Sequence, residues 1–337
     1  MNLPSSLRVV GWLVRDTFRQ SLQTRAFWML LGLSALVIAT CLSVGVEGSA
    51  TLHRPGENAD FLPRVDPEAA SPKAKRDGVD VPSGTLTLAF GAFRVPLARD
   101  ARDAVLGIQF VLASAVAGTA GLLLALIWTA GFMPGFLAPR SASLLLVRPA
   151  PRPLLFLGKC AGVLMFVMFQ TTVLVGGSWL ALGARTGVWD AGYLVCIPLV
   201  AAEFAVFYSV SALIAADLRG TTACVLGALL FWLICWGMNY GRHAVAAAPG
   251  TAPGVASTAP WLNATVEAGY WVLPKPADFG IVLADSLGST RSLSLAPEFD
   301  EVKRARRFHP ALSLLSSLAA SAVILALAVR RFAAADY

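Results

Sequence analysis

Residues 104–132 read AVLGIQFVLASAVAGTAGLLLALIWTAGF, a run of 29 positions without one charged side chain. About 20 consecutive apolar residues suffice for a helix to cross the hydrocarbon core of a bilayer. Backbone groups in lipid must be bonded internally, so a helix is the expected state of such a run. Five more stretches share its character, at 26–46, 160–182, 191–216, 220–240 and 311–329. The 337-residue chain is 56% hydrophobic and 14% charged, whereas soluble domains carry about 25% charged residues. All 27 Lys and Arg and all but one of the 20 Asp and Glu lie outside the six stretches; the exception is Glu203. The expected fold class is therefore an all-α polytopic membrane protein with six transmembrane helices.

Orientation follows from the flanks, because Lys and Arg collect on the cytoplasmic side. Segments 1–25, 133–159, 217–219 and 330–337 hold 11 bases against 3 acids. Segments 47–103, 183–190 and 241–310 hold 16 of each. This places both termini in the cytoplasm and leaves 47–103 and 241–310 as two long external loops. The basic cluster KRARR at 303–307 runs against the trend, with Glu298, Asp300 and Glu301 beside it. The charged lead before the first span is too long for a signal peptide, so that span reads as a retained anchor.

Outside the spans, LRVVGWLVRDTFRQSLQT (7–24) repeats Val10, Val14, Phe18 and Leu22 at four-residue spacing, the pattern of an amphipathic helix in the membrane interface. TLTLAFGAFRV (85–95) alternates and suits a short strand or hairpin. Within the second span, Ala113, Ala117, Gly121 and Ala125 form a small-residue stripe suited to close helix packing. Pro198 should kink or loosen the fourth span. The run Asp278 to Leu287 is too short to cross and suits an interfacial or re-entrant helix. Glu203 is an acid at membrane depth, which is costly and normally faces the protein interior or a wet cavity. It either lines a pathway or proton-linked site together with Asn239 and Gln170, or makes a structural hydrogen bond to Gln170, Asn239, Tyr208 or the backbone.

Catalytic chemistry is missing from this pattern. Cys41, Cys160, Cys196, Cys224 and Cys235 all sit in or beside apolar stretches, and no Cys/His spacing suggests a disulfide framework or a metal. The histidines, His53, His243 and His309, lie far apart in the loops, and no nucleophile motif accompanies them. Gly158-Lys159 has the look of the end of a phosphate-binding loop. However, Pro153 stands where the first glycine is needed, and Cys160 replaces the Ser or Thr that would hold magnesium. No catalytic, metal or cofactor site is expected in the chain itself.

The segment FMPGFLAPRSASLLLVRPAPRPLLFLGKCAGVL (132–164) resembles the region between the second and third spans of ABC transporter type-2 permeases. The matching positions are Leu144, Leu145, Leu146, Arg148, Pro149, Arg152, Gly158 and Lys159. The likeness extends to the N-terminal amphipathic helix, to GSWLALGARTGVW (177–189), to YWVLPKPADF (270–279) and to the ending RRFAAADY. The nearest subgroup is similar to the permeases of nitrous-oxide-reductase maturation and gliding systems. One departure is that Pro139 and Arg140 stand where many relatives carry an acid.

The resemblance implies a permease that works as a homodimer or with a second permease, in the cytoplasmic membrane. Separate ATPase subunits would hold the ATP and magnesium. It implies an elbow helix at 1–25 and a coupling loop at 133–159, with Arg140, Arg148, Pro149, Arg152, Gly158 and Lys159 receiving the ATPase motion. Arginines there suit charge-assisted bonds to a partner's carboxylates. No nucleic-acid partner is expected. The alternatives are a membrane scaffold or assembly factor, or a membrane enzyme with an external polar cluster drawn from His243, Glu267, Asp278, Asp285 and His309.

Overall fold

The computed structural model describes residues 3–47, 85–96, 101–138, 151–251, 260–287 and 308–334. The chain is a multi-pass helical bundle, with six helical segments long and apolar enough to cross a membrane. Helix α1 (Leu3–Leu22) leads into α2 (Arg25–Leu42). A small sheet follows, made of β1 (Gly45–Glu47), β2 (Thr85–Leu88) and β3 (Phe93–Pro96), antiparallel in that order, with Gly45 opposite Thr87 and Leu86 opposite Val95. The second span is α3 (Ala101–Val111), a π-helical section Leu112–Gly121, and α4 (Leu122–Thr129), closed by the short α5 (Phe132–Leu137). Then come α6 (Arg152–Thr186), α7 (Cys196–Leu218) and α8 (Thr221–Thr251). The short α9 (Pro260–Val272) and α10 (Pro276–Ser286) precede α11 (Pro310–Ala334).

Helix α7 is the central post. Of its apolar window 67% is buried, against 17–33% for the other five spans. Around it Phe204, Phe207 and Ala212 join Leu126, Phe156, Phe166 and Phe332 in one core. The rings of Trp128 and Phe166 meet edge to face at 4.7 Å, and Phe18 of α1 meets Phe166 at 5.3 Å. Lipid is as apolar as leucine, so tight fit rather than water expulsion holds such helices together. The bundle has two distinguishable ends. Arg152 Nη1 donates to the carbonyl of Ala333 at 3.1 Å, which puts the start of α6 beside the end of α11. At the opposite end the sheet covers the close of α6, where Cys41, Val44, Ala181 and Leu182 cluster.

Several expectations are met and others corrected. The hairpin at 85–95 forms and recruits β1 as a third strand. Ala113 and Ala117 are buried inside the chain, against Val175, Tyr193 and Cys196. Helix α6 begins at Arg152 rather than at 160, since Pro151 precedes it and Pro153 fits its first turn, where a missing N–H costs nothing. Similarly, α7 begins at Cys196, so Pro198 falls in the first turn and breaks no internal bond of that helix. The segment 278–287 forms a short helix, as its length implies, and packs inward with Asp278, Phe279, Ile281, Leu283 and Ala284 buried. The middle of the first loop, KRARR at 303–307 and residues 335–337 lie outside the described residues.

The buried stripe of α1 is also displaced by one position. Leu13, Thr17 and Ser21 are buried, Val10, Val14 and Phe18 are half-buried, and Leu22 is exposed. The cause lies on α6, where Gly158 and Gly162 stand one turn apart. A Cβ on Gly158 would sit 2.6 Å from Leu13 Cδ1, and one on Gly162 would sit 2.7 Å from Thr17 Oγ1. Small-xxx-small spacing lets two backbones approach closely, so a threonine and a serine occupy the seam that the apolar pattern assigned to valines. Gly162→Leu should therefore overpack the seam, costing about 1–3 kcal/mol. The expected reading is a lower melting temperature in detergent with faster tryptic cleavage at Arg15 and Arg19; wild-type behaviour in both would contradict the contact.

Candidate functional site

Asp278 sits in the first turn of α10 with no exposed surface. Its Oδ1 accepts from Asn239 Nδ2 at 3.0 Å and lies 2.7 Å from His243 Nε2. Its Oδ2 accepts from Tyr270 OH at 2.7 Å and from the Ser313 hydroxyl. A carboxylate at 2.7 Å requires the proton on His243 Nε2, and the Asn239 amide must then turn its NH2 toward Asp278. Four side chains from α8, α9 and α11 thus converge on one carboxyl group of α10. Burial by itself would raise its pKa, but the bonds from His243, Ser313 and Asn239 and the charge attraction of His243 outweigh burial and hold it below its ordinary value. Tyr270 is pushed up by burial and by the neighbouring Asp278 charge, so it remains a donor.

A second layer surrounds this centre. Lys275 is buried, with its Nζ 2.5 Å from Ser316 Oγ and 4.7 Å from the Tyr270 ring centre, and its backbone N–H bonds Ser317 Oγ at 3.1 Å. Burial pushes its ammonium pKa down, against the pull of Asp278. Arg242 stacks on Tyr270 at 4.4 Å and pairs with Glu267 at 3.3 Å. Three of the five residues expected in an external polar cluster, His243, Asp278 and Glu267, therefore do assemble, whereas Asp285 and His309 are exposed. The order of bonding is wrong for nucleophile activation. Ser313 donates to Asp278 rather than to His243, so the carboxylate stands between serine and histidine, whereas a catalytic triad places histidine between the other two. The arrangement works as a clamp.

On its other side, α10 walls a cleft of ≈ 120 Å³ against the π-helical section, α7 and α8. Glu203 lines this cleft, 8% exposed, together with Ser114, Thr119, Trp232 and Trp236. It lies about 10 Å along α7 from Cys196, at 1.5 Å per residue. Among the described residues it accepts no hydrogen bond and joins no ion pair. The three side chains expected to reach it are engaged elsewhere or turned away. Asn239 serves Asp278, Gln170 donates to Ser34 Oγ at 3.0 Å, and Tyr208 OH is buried without a partner among the described residues. Gln170 lines a separate apolar groove of ≈ 90 Å³ bounded by α2, the second span and α6. Glu203, Asn239 and Gln170 therefore sit in three separate surroundings.

The residues expected to couple to an ATPase also separate. Arg140, Arg148 and Pro149 lie outside the described residues. Arg152 caps the end of α11. Gly158 receives Leu13 of α1. Lys159 is 1% exposed, its Nζ bonded to Gln20 Oε1 at 2.9 Å and 3.7 Å from Asp16 Oδ2, with the rings of Phe132 and Phe136 each 5.9 Å away. Its charge is answered by α1 within the same chain, and Gly158-Lys159 is a docking seat for that helix. The five cysteines are all free.

The chain matches no protein-family model, and a sequence comparison with curated proteins returns no match. The class that the geometry defines is a multi-pass membrane protein with one polar clamp and one acidic cleft on opposite faces of α10.

Ser313 does not stand out in the sequence, and Tyr270 and Lys275 do so only as part of YWVLPKPADF (270–279). One signal is present, since Ser313, Ser317 and Ser321 recur at four-residue spacing and all three are buried. Replacing Asp278 by Leu should cost about 3–5 kcal/mol, because it strands buried partners including His243. The pH dependence has a definite sign. A carboxyl held below its unfolded value stabilises the fold above about pH 4 and loses that contribution as pH falls through its folded value. Thermal melts from pH 7 to pH 3 should show this loss in wild type and lack it in Asp278→Asn; parallel curves would exclude the clamp.

Proposed function

We propose that the chain is the membrane-spanning permease subunit of an ABC-type transporter, moving a substrate across the cytoplasmic membrane with ATP hydrolysed by separate subunits. Both termini face the cytoplasm, in keeping with the 11 bases against 3 acids on their side of the membrane. The permease acts as a homodimer or with a second permease subunit. The resemblance of residues 132–164 to type-2 permeases supports this reading.

The observation that carries it is the linkage of α1, α6 and α11 at one end of the bundle. The Lys159 contacts to Asp16 and Gln20, the Gly158–Leu13 seat and the Arg152–Ala333 bond join these helices around the start of α6. A push by a partner on the start of α6 reaches three helices at once instead of being absorbed by one. Exposed Leu7, Trp12 and Leu22 on α1 suit contact with lipid at that face.

The test is to purify the full chain from membranes with its ATPase and to measure hydrolysis and transport. Arg148→Glu with Arg152→Glu should lower ATPase recovery about tenfold or abolish stimulated turnover, while the amount of inserted chain is unchanged. ATPase binding without stimulated turnover would favour a scaffold instead. Unchanged transport in the double variant would reduce these arginines to a topology signal.

A further inference from the structure

We infer that the cleft around Glu203 is a binding site for a small tertiary or quaternary ammonium group. The inference concerns the site alone and is independent of coupling to an ATPase. Its first support is the unanswered acid. Among the described residues, Glu203 faces the cleft with no bond, and no Lys or Arg lines that cleft. An isolated buried carboxylate is costly, and a cation seated beside it removes much of that cost.

The second support is the polarity of the hydroxyls. Ser114 Oγ donates to the Phe110 carbonyl at 2.7 Å, and Thr119 Oγ1 donates to the Ser114 carbonyl at 3.1 Å. Both hydrogens are spent on the backbone, so both oxygens offer the cleft only lone pairs. The third support is the aromatic wall. Trp232 and Trp236 both line the cleft, with ring centres 6.4 Å apart and planes within 22°. Tryptophan faces attract cations, most strongly when the cation has shed its water, and quaternary ammonium groups are recognised in this way.

Size and donor count narrow the ligand class. A cavity of about 150 Å³ holds benzene, and a trimethylammonium group is of similar bulk, so ≈ 120 Å³ suits it. A hard metal cation asks for six or more oxygens at short range. This cleft presents one carboxylate and two hydroxyl oxygens among apolar side chains, which fits methyl groups around a positive nitrogen better than a bare ion. The ammonium could come from a free solute or from a choline-type lipid headgroup.

The experiment uses the full chain purified in detergent, titrated with tetramethylammonium chloride against sodium chloride at equal ionic strength and followed by tryptophan fluorescence and calorimetry. Saturable binding of tetramethylammonium, and none of sodium, is expected. Glu203→Gln should weaken it roughly tenfold or more, Trp236→Leu by roughly 2- to 30-fold, and Asp285→Asn, outside the cleft, not at all. Repeating the titration in nanodiscs separates the sources. Weaker apparent binding in phosphatidylcholine than in phosphatidylethanolamine, which has the same net charge but no quaternary ammonium, identifies the lipid headgroup as competitor, and equal binding identifies a free solute. Should Glu203→Gln not fold, Trp236→Leu and Glu203→Asp carry the same comparison. Sodium binding as well as tetramethylammonium, a response to pH alone, or wild-type affinity in Glu203→Gln would each overturn the inference. No ATPase is present in this assay, so its failure leaves the transport reading standing, and the converse also holds.

Discussion

A carboxylate buried without water has to be given donors, and the arrangement of one end of this molecule follows from how Asp278 obtains them. Asn239 and His243 must extend α8 past the length of a bare span, Tyr270 must come from α9, and Ser313 must sit in the first turn of α11. Together these contacts fix three helices, α8, α9 and α11, relative to α10. The position of Asp278 in the first turn of α10 adds the favourable field of a helix N-terminus. With α10 anchored by this face, its other face walls the cleft that holds Glu203. The clamp and the cleft are thus two sides of one helix, and the polar side is what permits the less satisfied one.

At the other end the chain uses a different device. Two glycines on α6 remove side-chain bulk, α1 moves in, and a lysine that would be expensive to bury alone is paired with Asp16 and hydrogen-bonded to Gln20 of the incoming helix. Charge and shape act on the same few residues. The Gly-Lys pair, which resembles part of a nucleotide loop, here seats a neighbouring helix. The pair is shaped by a neighbouring helix, and the same residue types serve both purposes.

How much of this was legible depends on what each feature answers to. The six spans answer to the bilayer, and uncharged runs such as 104–132 announce themselves. The hairpin at 85–95 answers to local alternation. The seat of α1 was misplaced by one position because apolar periodicity points to valines, whereas the partner's glycines select Leu13, Thr17 and Ser21; that information lies about 140 residues away along the chain. Helix α10 reads as interfacial or re-entrant from its short amphipathic run, which does not reveal that Asp278 turns to buried donors while Asp285 stays exposed. Glu203 stood out at once, since an acid in an apolar span has no local explanation. Its surroundings did not, because they combine three distant spans with α10.

The π-helical section Leu112–Gly121 has a consequence for the wall it contributes. Its backbone bonds reach back five residues instead of four, so each such turn holds one residue more than an α turn. Rewinding one turn to the tighter form would pass that residue along the span, advancing the remainder of the helix by about 1.5 Å and turning it by roughly 100°. Ser114 and Thr119 would then no longer face the same space. The second span therefore carries slack within its own winding, and the shape of the acidic cleft is tied to a register that the helix can change without breaking out of the bilayer.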